Sequence, residues 1–393
     1  MNPLDSELGA ELDGIRASGA LKTLREISSP QGAEIRLADG RAVLCLCSND
    51  YLGLANDPAV VAAAADGLAR YGLGSASVRF ICGLFTPHLE LERDLAEFLG
   101  TEAALTYTSC WNANQAVLDT LCDERTWILS DELNHASIID GVRLARPERK
   151  VVYPHADVDE LRAQLAQAPA DRRVLVVTDG MFSMEGDIAP LAEISAACRE
   201  RGATLIVDDS HGLGVLGATG RGTTEHLGLA PGAVDVTTGT LGKALGGAAG
   251  GFVAGTDALF QVLEQRSRAQ LFSNGLAPAV ACGARAALAR LRDDPSRVGA
   301  LRARTERFRA ALVAGGLEPL GDGPIVPVVV GATARAIAIG DRLLERGVLA
   351  TGFGYPVVPE GAARIRAQLS ASLSESQVDH AAGVLVATVG DLG

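Results

Sequence analysis

The chain has 393 residues, 48% of them apolar, enough for two domains or for one large α/β domain with an appendage. Its formal charge of −13 excludes a general nucleic-acid or anionic-membrane surface and confines any anionic ligand to a local basic site. Seven cysteines form neither a paired framework nor a metal-ligand spacing, and neither a leader nor a membrane span is evident, which together fit a soluble cytoplasmic protein without a metal.

In chain order, residues 1–45 read as an N-terminal arm. It holds a helix over Leu8–Leu24, an irregular stretch through Ser29-Pro30-Gln31 and a hairpin-like segment around Gly40. From Glu90 onward, strands and helices alternate. Ala103–Thr108 is a strand and Ala113–Leu121 a helix; Val174–Thr178 is a buried strand; Pro190–Arg201 is a helix stopped at Gly202. Leu205–Asp208 and Val234–Thr238 are further strands. This alternation predicts an α/β fold with a mostly parallel sheet covered by helices, filling a large domain over 46–289. After about Arg290 the texture changes. Val298–Ala314, Ile325–Val330 and Ala334–Arg346 alternate, Arg364-Ile365-Arg366 follows, and a last helix starts at Ser374, which suggests a smaller α+β domain over 290–393. The expected ligand site is a cleft between the two domains.

Charged side chains cluster just after strands: Asp179, then Asp208 and His211, then Lys243. Ligands of open α/β sheets sit outside the carboxyl ends of the strands. An acid at one strand end and a lysine past the next suit pyridoxal phosphate. The lysine amine would bond the cofactor aldehyde as a Schiff base, and Asp208 would pair with the protonated pyridine nitrogen. The alternative is a glycine-rich turn with a solvated lysine and a helix-capping carboxylate.

Other residues supply parts of such a site. The turn Ser109-Cys110-Trp111 opens a helix whose free amides suit a phosphate, and Thr240 is a second donor. His135 has a ring face suited to stacking on a pyridine, or it is a buried histidine bonded to a carbonyl. His211 and Ser183 are placed to reach a phenolic oxygen, or they are turn residues. Arg366 offers a planar fork for a substrate carboxylate, or it forms a surface ion pair; Arg364 is expected on the opposite face of the strand. Gly239–Lys243 is too short for a GxxxxGK phosphate loop and no GxGxxG opens a βαβ unit, which leaves little support for a non-catalytic nucleotide-binding protein.

These segments, with Asn49-Asp50-Tyr51-Leu52-Gly53-Leu54, Ala76–Gly83, Asn134–Gly141 and Arg268–Asn274, make the sequence resemble the α-oxoamine synthases, a family of fold-type I pyridoxal-phosphate enzymes, almost end to end. Tyr355-Pro356-Val357-Val358-Pro359 with Ala363–Arg366 favours the aminoketobutyrate branch. The resemblance implies a Schiff base at Lys243, Asp208 on the ring nitrogen and His135 stacked on the ring. It puts Ser183 and His211 at the phenolic oxygen and gives the phosphate to the Cys110 and Trp111 amides and the Thr240 hydroxyl. Ser273 and Asn274 would approach the phosphate from a partner subunit, making a homodimer with shared sites. Arg366 and Asn49 would take the substrate carboxylate. The implied reaction condenses glycine with an acyl-CoA, acetyl-CoA first, to give 2-amino-3-oxobutanoate and CoA, alongside a threonine dehydrogenase in threonine breakdown. An 8-amino-7-oxononanoate synthase-like enzyme using alanine or a longer acyl-CoA is the alternative. Lys22 and Arg25 are candidates for the CoA phosphates.

Two places depart from the family pattern: Leu84-Phe85-Thr86-Pro87, and Gly354 where a second aromatic is usual. A lost aromatic in the acyl pocket would admit a longer acyl group; compensating repacking would not.

Overall fold

The computed structural model describes residues 2–18, 21 and 24–392, which fall into two compact units. One comprises Asn49–Ser183 and Asp187–Leu301. The other gathers the chain up to Ser48, Met184–Gly186 and the chain from Arg302 onward.

The larger unit is built on seven strands: β1 (Ala103–Tyr107), β2 (Thr126–Asp131), β3 (Arg149–Tyr153), β4 (Arg173–Asp179), β5 (Thr204–Asp208), β6 (Val236–Thr240) and β7 (Gly251–Gly255). Their order across the sheet is β1-β7-β6-β5-β4-β2-β3, and only β7 runs against the others. The strands are apolar on both faces because helices cover both. Leu175, Val177 and Ile206 join one core with Val117, Ile138 and Val142. Their chain neighbours Val174, Val176, Leu205 and Val207 join the opposite core with Leu161, Leu191 and Ile194. Period-two alternation along each strand thus feeds two cores at once.

Element boundaries moved where polar side chains set them. The helix expected from Ala113 runs Cys110–Leu121, because Ser109 caps it by accepting from Asn112 N at 3.2 Å. The strand expected at Val234–Thr238 is β6, two residues later. The Asp235 carboxylate accepts from Leu205 N at 2.7 Å, so strand pairing begins at Ile206 opposite Val236. The helix after β4 ends as expected at Gly202, in the left-handed region with φ 73°.

In the smaller unit, Ala363–Gln368 is the centre of an antiparallel sheet between Ile325–Gly331 and Thr351–Phe353. The hairpin around Gly40 is present as Glu34–Arg36 against Ala42–Cys45, and Ala42–Cys45 also pairs with Val348–Leu349. That pairing carries the N-terminal segment into the same unit as residues 302–392. The first helix is Pro3–Ala17 rather than Leu8–Leu24: Asn2 caps it and Pro3 opens it, and it ends before Ser18. The last helix, Glu375–Asp391, starts from a capping box between Ser374 and Gln377. Arg364 and Arg366 do not take opposite faces; two residues apart on a pleated strand, they share one. Both turn toward Met184, whose carbonyl accepts from Arg364 at 3.0 Å and whose sulfur lies 4.0 Å from Arg366 Nη1.

In the larger unit, His155 ties three strand-end loops together. Its Nδ1 is 3.0 Å from Asp131, its Nε2 2.8 Å from Asp187, and its ring meets Phe182 edge-on at 4.4 Å. Burial alone would lower its pKa, but the two carboxylates outweigh that and raise it to about 10. A raised pKa means the stabilisation is complete below the unfolded value of about 6.5 and is lost as pH climbs through 10. Wild type should therefore exceed His155→Gln in thermal stability at pH 6 by on the order of 2 kcal/mol, with the gap closing by pH 10.5. A gap independent of pH would show that His155 is held as a neutral ring.

Candidate active site

The carboxyl ends of β2, β4, β5 and β6, with the start of the helix after β1, surround a cavity of about 210 Å³. Its walls carry Lys243, Asp208, His211, His135, Thr240, Cys110 and Trp111, all from the larger unit.

Asp208 closes β5 and is nearly buried. Its Oδ1 accepts from Ser210 N at 2.9 Å and its Oδ2 from Asn114 Nδ2 at 2.6 Å. Two N–H donors fix the direction of the carboxylate. Asn114 is oriented in turn, because its carbonyl oxygen accepts from the Thr238 hydroxyl at 2.6 Å. The same amide nitrogen donates to Ser137 Oγ at 2.8 Å, and Ser137 Oγ lies 2.7 Å from His135 Nδ1. His135 Nδ1 also accepts from Ser137 N at 3.2 Å, so the imidazole proton sits on Nε2. Burial lowers the pKa of His135, leaving a neutral ring, which Trp111 meets edge-on at 6.0 Å.

Asp179 ends β4 directly beside Asp208 in the parallel register. Its Oδ2 accepts from His135 N at 3.2 Å, and its buried Oδ1 has no hydrogen-bond partner. Burial, and then the charge on Asp208, push its pKa well above the carboxylate range. A carboxyl buried this deeply beside a second acid keeps its proton. Burial likewise holds the Cys110 thiol well up, with the Asp208 charge adding to it.

Lys243 follows β6 in a glycine-rich turn, and its Nζ lies 2.8 Å from His211 Nε2. Thr240 accepts from Gly242 N at 3.1 Å and donates to Gly250 O at 3.2 Å, which braces that turn. Across the cavity, Cys110 and Trp111 form the first turn of their helix, where amides are left over by the helical ladder. Gly251 lets β7 lie against this turn: a Cβ there would sit 2.3 Å from Cys110 N.

The structure brings Lys243, Asp208, His135, His211, Thr240, Cys110 and Trp111 to one cavity and leaves the other expected residues off its wall. Ser183 is half-buried in the loop after β4, and Asn49 is half-buried at the start of the larger unit. Ser273 and Asn274 are exposed, with Asn274 bridged to Val78. Arg366 belongs to the smaller unit, where its guanidinium lies 4.7 Å from the centre of the Phe353 ring. Arg25 pairs with Asp341 at 2.8 Å, and Lys22 lies outside the described residues. Sequence reasoning gave no role to Tyr51, Asn114, Ser137 or Asp179. Asn114 had a usable signal, a polar residue on the apolar face of its helix between Ala113 and Val117.

Residues 41–385 match the family model of aminotransferase class I and II. The chain is 46% identical over 375 residues to the mitochondrial 2-amino-3-ketobutyrate coenzyme A ligase of Mus musculus, covering 95% of this chain and 89% of that one. It is 45% identical over 378 residues to the 2-amino-3-ketobutyrate coenzyme A ligase of Escherichia coli strain K12, covering 95% and 94%. Among solved structures, a serine palmitoyltransferase variant from S. paucimobilis with bound pyridoxal phosphate and myriocin matches with a TM-score of 0.93, at 28% identity and 100% coverage of both chains.

Proposed function

The chain belongs to the aminotransferase class I and II family, and from that premise we propose that it is an α-oxoamine synthase that condenses glycine with acetyl-CoA, giving 2-amino-3-oxobutanoate and CoA. The observation that carries this reading is one cavity holding a lysine amine, a doubly hydrogen-bonded carboxylate, a neutral histidine ring and a helix N-terminus. That donor set fits pyridoxal 5'-phosphate, the cofactor of this fold family. Bound there, the cofactor supplies a protonated ring that draws an electron pair from the Cα of the amino acid.

Each residue then has a task. Lys243 would hold the aldehyde carbon, and its amine, once free, would take the Cα proton of glycine. Asp208 would keep the proton on the ring nitrogen. His135, neutral and oriented through Ser137, would cover the ring face, and His211 and Ser183 would face the phenolic oxygen. The Cys110 and Trp111 amides and the Thr240 hydroxyl would take the phosphate. Arg366 and Asn49 would bind the glycine carboxylate, which sets one Cα–H bond perpendicular to the ring. Ser273 and Asn274, exposed on this chain, would reach the phosphate held by a second copy, making the enzyme a homodimer. A threonine dehydrogenase is the partner enzyme this reading calls for, since oxidising the threonine hydroxyl gives the same 2-amino-3-oxo acid. No described helix is long and apolar enough to cross a membrane, and the described cysteines are all free thiols, which supports a cytoplasmic location.

The space opened by Gly354 is already taken. A Cβ at that position would meet the side chain of Thr333 at 2.5 Å, and Thr333 is held by Glu360 and by Tyr355 N at 3.0 Å. This supports repacking over a widened acyl pocket, and hence acetyl-CoA. With glycine as co-substrate, kcat/KM should fall from acetyl- to propionyl- to hexanoyl-CoA, by about tenfold or more across the series. Thiol release with mass spectrometry of the products checks this. Turnover only with alanine, or a preference for hexanoyl-CoA, would replace the reading with that of a longer-chain synthase.

A further inference from the structure

His211 makes polar contacts on both sides of its ring. Nε2 lies 2.8 Å from Lys243 Nζ, and Nδ1 lies 2.8 Å from the Tyr51 hydroxyl. Tyr51 is wholly buried and meets the imidazole edge-on, with ring centres 6.1 Å apart at 73°. The turn that carries it is fixed by its own hydrogen bonds. Gly53 N donates to Asp50 O at 3.1 Å, and Asp50 Oδ1 accepts from Leu54 N at 2.8 Å and Ala55 N at 3.2 Å. Gly53 supplies the left-handed residue that this turn needs, with φ 65°. The phenol is therefore held on a braced turn rather than on a mobile loop.

We propose that Tyr51 is a positioning residue for the reacting amine: its phenol holds the His211 imidazole so that Nε2, the nitrogen on the side that would face the phenolic oxygen, also faces Lys243 Nζ in both protonation states of the freed amine. This rests on the reading of Lys243 as the group that takes the glycine proton. A neutral imidazole carries one proton, and the partner of one ring nitrogen decides the state of the other. When Nζ carries three protons, one of its N–H groups donates to Nε2; Nδ1 then holds the ring proton and donates it to the phenol oxygen. When Nζ is a neutral amine, it accepts from Nε2–H, and the phenol O–H donates to Nδ1. The two states differ by one proton, and the imidazole is neutral in each. A hydroxyl, which both donates and accepts, serves both states; a phenyl edge serves neither. His211 is only 7% exposed, so water is poorly placed to substitute.

Other titratable groups surround the pair. Asp208, Asp179, His135 and Cys110 share the cavity wall, and Asp209 lies two residues before His211 in the chain. All of them remain in Tyr51→Phe, so a change in that variant reports on the phenol.

The test uses the full-length holoenzyme. Tyr51→Phe should lower kcat about tenfold while leaving KM for glycine within about twofold. The pH midpoint of glycine Cα-proton exchange, which reads the freed amine, should move by about half a unit or more. Histidine ring 15N spectra of wild type with glycine bound, where the amine is free, should show the His211 proton on Nδ1 at low pH and on Nε2 at high pH, and this decides the matter should the variant fail to fold. A wild-type His211 that keeps one tautomer across that range, or becomes charged within it, overturns the proposal. So does a variant that keeps the wild-type midpoint and kcat, even one with a lowered melting temperature. Borohydride reduction of wild type separates the two levels of the argument. If the cofactor does not become fixed to Lys243, the functional reading fails; if it does and the midpoint is unmoved, only the role of Tyr51 falls.

Discussion

Lys243→Ala is expected to abolish turnover, with a loss of at least about 10³-fold, and to remove the visible band of the bound cofactor. The size follows from two tasks resting on one atom. Nζ would hold the cofactor aldehyde and would also take the Cα proton, and a positioned general base alone is worth about 10²–10⁴. Alanine removes the amine and leaves the rest of the wall: Asp208 keeps its donors from Ser210 and Asn114, and Thr240 keeps its place in the turn. The variant should therefore still bind pyridoxal phosphate, with the spectrum of the free aldehyde, and should lose it on dialysis. Borohydride should no longer fix the cofactor to the protein. Multiple turnover by this variant would contradict the assignment of Lys243, because among the described residues no other lysine lines the cavity.

Much of this site could be read from the sequence because its residues sit at strand ends. Asp208 and Lys243 lie just past runs of buried β-branched and apolar residues, and parallel strands deliver their carboxyl ends to one edge of the sheet. The residues that orient them come from elsewhere in the chain. Asn114 reaches Asp208 across 94 positions, and Tyr51 reaches His211 across 160. Nothing local in the sequence marks such a pairing; only the packed helix and turn bring the partners together. Asp179 was visible as a charge after a strand, but its protonated state depends on deep burial beside Asp208. The first helix shows a different limit. Its start is set by Asn2 and Pro3, a cap that lies well before the expected start at Leu8. The division of the chain follows tertiary pairing as well: Ala42–Cys45 bonds to Val348–Leu349, about three hundred residues later, which no composition change near position 45 reveals.

Asp208→Asn is expected to slow exchange of the glycine Cα proton by on the order of 10²-fold or more, for the loss of ~3 kcal/mol of charge stabilisation at the ring nitrogen. Two effects combine. The first is the missing negative charge opposite a protonated ring, whose proton would then be lost more easily, leaving a weaker acceptor of electrons. The second is local. In wild type both carboxylate oxygens face N–H donors, Ser210 N at 2.9 Å and Asn114 Nδ2 at 2.6 Å. An amide at this position has one oxygen, so its NH2 must face one of those donors whichever way it turns, at a cost of about 1–3 kcal/mol in a buried site. Asn114 cannot flip to relieve this, because its own carbonyl oxygen accepts from Thr238. Flipping would also break the link through Ser137 that orients His135. The variant should thus bind cofactor more weakly as well as exchange more slowly, with KM for glycine changed less than kcat. Asp179 would also lose the neighbouring charge that helps keep it protonated, so it should give up its proton at lower pH than in wild type. Wild-type exchange rates in Asp208→Asn would remove Asp208 from the ring nitrogen and assign it only to holding Asn114 in place.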